Sequence, residues 1–349
     1  MSLNTRVLSI NPSDPDPALL ADAAQVIRAG GLVAFPTETV YGLGADATRQ
    51  AAVERIFAAK NRPASDPIIV HIATLDMLTG VAVDLPDLAL ELARAFWAGA
   101  LTLVLKRHPN IPPNVSAGRA TVAVRMPNHP VALGLIAAAD RPIAAPSANT
   151  FSRPSATSAA HVREDLDGRI DLILDGGATP IGVESTVLDL TGDPVVLRPG
   201  GVTLEQLRVF IPDLQIRSQY LAVDQSAEAP GQLLKHYSPR AELRLFNGDH
   251  ARVIERIRTE SATLSNSGAR VGVLVTEGER AALAELDAEI IVLGGDLMTI
   301  SANLFAALRQ LDQRGVTVIL TRLIDGEGLG AAIRDRLIRA ANGRIIEVS

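Results

Sequence analysis

The sequence predicts an α/β protein: a sheet of mixed direction followed by a smaller, parallel, Rossmann-like α/β domain. Three observations predict it. Through residue 210, strand-like and helical segments alternate irregularly, with hairpin-like spacing toward the end. Residues 211–241 carry polar clusters, Pro and Gly, and no sustained period. From residue 242 onward, strands and helices alternate strictly. A chain of 349 residues also exceeds what one core usually organises. The expected division is 1–210, a connecting segment over 211–241, and 242–349.

Residues 17–29 have helical spacing and stop at Gly30 and Gly31. LVAFP (32–36) reads as a strand, 51–60 as a short amphipathic helix, and 67–73 as a strand beyond a proline-rich loop. Residues 88–106 read as a helix, a break near Gly99 and a strand. Strands are expected over 120–127, 141–146, 170–177, 185–192 and 194–201, then a small helix over 204–210. In the last third, strands at 242–246, 270–275, 289–295 and 316–320 alternate with helices at 250–260, 278–286, 298–313 and 330–341.

Composition narrows the function. There is no cysteine, which excludes disulfides, thiolate catalysis and cysteine-held zinc and fits a reducing compartment. The first twenty residues lack the basic and apolar segments of a signal peptide, and no apolar run reaches the roughly 18 residues of a membrane span. A cytoplasmic protein without membrane contact is expected. The net charge of −6 and 3% aromatic content fit neither a generic polyanion binder nor a base-stacking platform. Of 33 basic residues only Lys60, Lys106 and Lys235 are lysines, which singles each of them out.

The chemistry-bearing stretches are small polar loops at strand ends. FPTETVYGLGA (35–45) interrupts an apolar strand with Thr37, Glu38 and Thr39. Read as extended, it points Thr37 and Thr39 to one face and Glu38 to the other, where Glu38 orders neighbouring loops. KNRP (60–63) puts Lys60 and Arg62 on a stiff loop suited to polyphosphate, or simply caps a helix. PSAN (146–149) places Ser147 and Asn149 on one side of an extended segment, unless it is an ordinary turn. SRPSAT (152–157) adds Ser155 and GVESTV (182–187) adds Ser185. VLRPGG (196–201) adds Arg198, and SAGRATVAVRMP (116–127) adds Arg119, Thr121 and Arg125. No P-loop, serine-hydrolase elbow or metal-ligand spacing occurs, and GEGLGA (326–331) lacks dinucleotide spacing.

Taken together, GGLVAFPTETVYGLGADA, KNRPASDPIIVHI, SAGRATVAVRMP, PIAAPSANTFSRPSAT, GGATPIGVESTVLDL and VVLRPGG resemble the YrdC-like family, including its Lys-x-Arg and Ser-x-Asn signature at Lys60, Arg62, Ser147 and Asn149. APGQLLKHYSP and EGLGAAIRDRLIRAA resemble that family's two-domain form. The resemblance covers nearly the whole chain. It implies a twisted sheet curled around a concave cavity, then a smaller Rossmann-like domain. It also implies an enzyme that joins L-threonine, bicarbonate and ATP into threonylcarbamoyl-AMP and pyrophosphate. A separate transferase complex would then modify adenosine 37 of tRNAs reading ANN codons.

On that basis Lys60, Arg62, Thr121, Ser147, Asn149, Ser155, Arg198, His236 and Tyr237 are candidates for ATP. Thr37, Thr39, His71, Arg125 and Ser185 are candidates for L-threonine or its carbamate. Mg2+ is expected to enter with ATP and no dedicated metal ligands are expected. Lys235, His236 and Tyr237 suggest that the connecting segment closes over the site as a lid. The expected partners are small-molecule substrates and the downstream complex, with tRNA a weaker candidate. The rival readings are an RNA-binding module and another carbamoyl-adenylating enzyme on the same fold.

Overall fold

The computed structural model describes residues 4–217 and 237–349. These fall into two compact units: 4–151 with 155–217, and 152–154 with 237–349.

The first unit runs β1 (Arg6–Ser9), α1 (Pro17–Arg28), β2 (Val33–Phe35), β3 (Gly42–Asp46), α2 (Gln50–Lys60), β4 (Ile69–His71), β5 (Ala82–Val83), α3 (Asp87–Phe96) and β6 (Leu101–Arg107). It continues through β7 (Thr121–Arg125), α4 (Pro130–Ala139), β8 (Ile143–Ala144), α5 (Ala159–Leu166), β9 (Leu172–Asp175), β10 (Thr186–Asp189), β11 (Val195–Arg198), α6 (Leu204–Arg208) and β12 (Gln215–Ile216). Twelve strands form one mixed sheet in the order β1-β9-β2-β3-β8-β4-β7-β6-β10-β11-β12, with β5 on β6.

Both faces of this sheet are apolar, as strands buried on two sides require. On β2, Val33 and Phe35 pack with α1 and α4, while Ala34 enters the larger cluster on the other face. β9 splits in the same way, Leu172 and Leu174 against Ile173. α1 is started by the Asp16 side chain and by Pro17 at its first position. It ends at Gly30, whose φ of +84° suits glycine, and it packs against α4.

Helices α4 and α5 lie outside the elements expected from the sequence. α4, PVALGLIAAA, is apolar almost all round, so it carries no amphipathic stripe. Its start is set by Pro130 and by His129, whose ring accepts from Val131 N–H. α5 is a short helix capped by Ser158. Residues 36–41, read from sequence as extended, form a bend between the antiparallel strands β2 and β3. Alternation of side chains therefore does not hold there.

Register places the polar strand residues. β4 and β7 are parallel, with His71 opposite Arg125 and Ile69 opposite Ala123. These four share a face with Val104 of β6, which pairs Ala123. Ile69, Val104, Ala123, Val187 and Leu197 make a small apolar cluster separate from the one under α1 and α4.

The second unit runs β13 (Glu242–Gly248), α7 (His250–Asn266), β14 (Val271–Val275), α8 (Glu277–Leu283), β15 (Glu289–Val292), α9 (Leu297–Gln313), β16 (Val318–Arg322), α10 (Gly330–Ala340) and β17 (Ile345–Val348). Its sheet is wholly parallel, ordered β15-β14-β16-β13-β17. β14, β15 and β16 are near-continuous runs of Val, Ile and Leu, as strands covered by helices require. Leu320 lies fully buried in the middle of β16, the central strand. Leu320→Ala is expected to lower the free energy of unfolding by about 2–5 kcal/mol, read as a fall in the urea midpoint by circular dichroism.

Candidate functional site

Arg125 ends β7 and is 3% exposed. A buried guanidinium needs counter-charge and acceptors. Its Nε donates to Gly99 O at 3.1 Å, its Nη1 donates to Thr39 Oγ1 at 2.8 Å, and its Nη2 lies 2.7 Å from Glu38 Oε1. Glu38 is itself only 6% exposed.

The two threonine hydroxyls continue the network. Thr37 Oγ1 donates to Val40 O at 2.7 Å and accepts from Thr39 N–H at 3.1 Å. The hydroxyls of Thr37 and Thr39 are 2.9 Å apart. A hydroxyl has one proton, and that of Thr37 is committed to Val40. Thr39 therefore donates to Thr37, and the bonds run in one direction from Arg125 through Thr39 and Thr37 to a carbonyl. The bend at 36–41 brings Glu38 and Thr39 onto the same guanidinium. The expectation that Glu38 faces away fails, because it assumed an extended strand.

His71, opposite Arg125, is 3% exposed and lies edge-on to the Phe35 ring at 6.3 Å. Burial, reinforced by the Arg125 charge, lowers its pKa to about 3. The ring is thus neutral at physiological pH, and its Nδ1 has no hydrogen-bond partner among the described residues.

The Lys60 and Ser-x-Asn segments interlock. Lys60 ends α2, where Asn61 turns into the left-handed conformation at φ 53°. Its ammonium donates to Ser147 O at 2.5 Å and to Asn149 O. Ser147 is half-buried and bridges to Gly42, while Asn149 is buried and donates to Thr150 O at 2.8 Å. Arg62 turns inward: Nη2 lies 2.9 Å from Asp66 Oδ2 and donates to Pro67 O at 2.8 Å.

Ser155 donates to Glu184 Oε1 at 2.5 Å. The Ser185 hydroxyl is 2.8 Å from that of Thr102, and Arg198 donates to Ser185 O at 2.8 Å and to its Oγ at 3.2 Å. Gly200 permits this arrangement, since a Cβ there would sit 2.3 Å from Glu184 O. Thr121 begins β7, half-buried, opposite Lys106.

Backbone bonds lace these segments together. Ile181 and Gly182 donate to the carbonyls of Glu38 and Thr39, Tyr41 donates to Ala156 O, Leu43 to Pro146 O, and Ala148 to Tyr41 O. Thr37, Thr39, His71 and Arg125 form one connected group. Lys60, Ser147 and Asn149 form a second, and Ser185 with Arg198 a third. Tyr237 belongs to the second unit, where it is buried, stacked 5.2 Å from Phe305 and covered by the Arg336 guanidinium. Lys235 and His236, part of the expected lid, lie outside the described residues. Glu38 is the member of the Arg125 group absent from the sequence-derived site residues. Its position beside two threonines is the signal that would have found it.

Comparison with known proteins gives concordant findings. Residues 25–200 match a family model described as "Telomere recombination", and residues 202–342 match "Threonylcarbamoyl-AMP synthase, C-terminal domain". The chain is similar to the threonylcarbamoyl-AMP synthase of Pyrococcus abyssi, 48% identical over 93% of this chain and 95% of that one. It is similar to the Bacillus subtilis threonylcarbamoyl-AMP synthase at 44% identity, over 97% and 96% of the two chains. The solved structure of P. abyssi Sua5 complexed with L-threonine matches with a TM-score of 0.93 at 45% identity, covering 99% of this chain and 100% of that one. Escherichia coli YciO matches 56% of this chain and 96% of its own, with a TM-score of 0.51 at 26% identity.

Two outcomes are expected from this geometry. Asp66→Ala leaves Arg62 buried without its counter-charge and is expected to cost about 3–5 kcal/mol of stability, measured by urea titration. His71 has its pKa depressed on folding, so the unfolded chain takes up that proton first as pH falls. Its contribution to stability is complete above about pH 6.5 and is lost progressively toward pH 3. His71→Gln is expected to lose less stability than the parent between about pH 7.5 and pH 4.5, measured as the difference in urea midpoints.

Proposed function

The chain belongs to the threonylcarbamoyl-AMP synthase family, and on that premise we propose that the buried polar site of the first unit joins L-threonine, bicarbonate and ATP into threonylcarbamoyl-AMP. The threonine nitrogen bonds to the bicarbonate carbon with loss of water. An oxygen of the resulting N-carboxylate then attacks the α-phosphorus of ATP. The bond to the β-phosphate bridge breaks and pyrophosphate leaves. The protein's task is alignment and charge stabilisation rather than covalent chemistry.

The observation that carries this reading is the presence in the first unit of two buried cationic groups of different character. Arg125, with Thr37, Thr39 and neutral His71, offers a planar fork suited to a carboxylate. Lys60, on the carbonyls of Ser147 and Asn149, offers a point charge suited to phosphate. We assign L-threonine and its carbamate to Arg125, Thr37, Thr39, His71 and Ser185. ATP is assigned to Lys60, Arg62, Thr121, Ser147, Asn149, Ser155 and Arg198. Arg62 acts mainly by bracing the loop after Lys60, because Asp66 already engages its guanidinium.

Mg2+ would enter with ATP, held by phosphate oxygens and water. The site carboxylates Glu38 and Glu184 are engaged by Arg125 and Ser155, a donor set that fits contact through water rather than a protein cage. Residues 1–210 would then be the catalytic part and 242–349 an appended α/β domain, joined through 211–241. The product is consumed by a transferase complex acting on adenosine 37 of tRNAs reading ANN codons, in the cytoplasm. Among the described residues no helix is long and apolar enough to cross a membrane.

Pyrophosphate release from ATP, Mg2+ and bicarbonate should depend on L-threonine. Lys60→Ala should reduce the rate by about a hundredfold or more. Release that ignores threonine would defeat the reading.

A further inference from the structure

The pairing of Glu38 with Arg125 leaves buried polar capacity unfilled. Neither carboxylate oxygen of Glu38 has a directed hydrogen bond among the described residues, although Arg125 Nη2 lies 2.7 Å from Oε1. Nη2 is likewise without a directed acceptor there. The two groups neutralise each other by charge while keeping their hydrogen-bonding capacity. Buried polar groups in native proteins are normally satisfied, and exceptions call for an explanation.

The surroundings do not fill the gap. Arg125 spends Nε on Gly99 O and one Nη1 proton on Thr39. His129 beside Glu38 is occupied through Nδ1 by Val131 N–H, and burial lowers its pKa against the pull of Glu38. His71 beside Arg125 is neutral. The site thus contains one anion short of donors and one cation short of acceptors, side by side.

A lone anion would satisfy Arg125 and leave Glu38 short. A lone cation would do the reverse. An α-amino acid carries both complements on adjacent atoms, so it can lie antiparallel to the Glu38–Arg125 pair with its four charges alternating. We infer that Glu38 receives the α-ammonium of the amino-acid substrate while Arg125 receives its α-carboxylate. This rests on the proposed threonine site and adds to it the residue that selects an amine. A site built to receive a polar group rejects an analogue lacking it far more strongly than one that merely fits a shape.

The test uses the full chain and calorimetric binding of two ligands, L-threonine and (2S,3R)-2,3-dihydroxybutanoate, in which a hydroxyl replaces the amine. The parent should prefer threonine by about thirtyfold or more. Glu38→Gln should weaken threonine by about tenfold or more and the amine-free ligand by less than about threefold. Equal weakening of both ligands would mean that Glu38 only orients Arg125, and would overturn the inference, as would an unchanged preference. Should Glu38→Gln fail to fold, Glu38→Asp, which shortens the carboxylate's reach, is read by the same criteria, and equal weakening of the two ligands in it overturns the inference. Pyrophosphate release in the parent separates the two levels. Threonine-dependent release with an unchanged preference in Glu38→Gln removes only the role of Glu38, whereas threonine-independent release removes the site assignment itself.

Discussion

A guanidinium buried at the end of a strand is the constraint around which the first unit is arranged. Arg125 has almost no contact with solvent, so every element near it must supply an acceptor or a charge. Gly99 supplies a carbonyl from the turn before β6. The bend between β2 and β3 supplies a hydroxyl and a carboxylate from adjacent residues. A regular strand could not do this, because neighbouring side chains would point to opposite faces. The loop at 181–182 then pins that bend by donating to the carbonyls of Glu38 and Thr39. The same requirement explains the fixed register of β4 against β7. A slip of one residue would move His71 and Arg125 into the opposite apolar layer.

Lys60 answers a related problem in another way. Its ammonium, 1% exposed for the residue as a whole, rests on two main-chain carbonyls of the Ser-x-Asn turn. The motif residues are therefore bound through backbone as well as displayed by side chain. Removing the ammonium would release the turn along with the charge. The two signatures sit about 87 residues apart in sequence and act as a single piece of structure.

Much of this was legible in the sequence. Alternating apolar runs and glycine stops placed most strands and the parallel C-terminal sheet, since those signals are local. Helix α4 was not legible because a helix buried on nearly all sides has no polar stripe to reveal its period. Lys60, Ser147, Asn149 and Arg125 stood out as polar residues at strand and helix ends. Glu38 was noticed and set aside, because period-two reasoning was applied to a segment that bends. Arg62 looked like a free cation on a stiff loop. Its engagement with Asp66, four residues on, depends on a loop conformation that no periodicity encodes.

The one-way run of hydrogen bonds from Arg125 to Val40 has a consequence for what can enter. Thr37 accepts from the Thr39 hydroxyl on one lone pair, the main-chain N–H groups of Thr39 and, at 3.3 Å, Val40 share the other, and its proton is spent on Val40 O. It is saturated and serves as a fixed backstop. Thr39 gives its proton to Thr37 and one lone pair to Arg125, and keeps a single lone pair. This wall therefore has no hydroxyl proton to give. A guest meeting it must bring its own proton, as an ammonium or an alcohol does, and a guest that offers only oxygens meets it lone pair to lone pair.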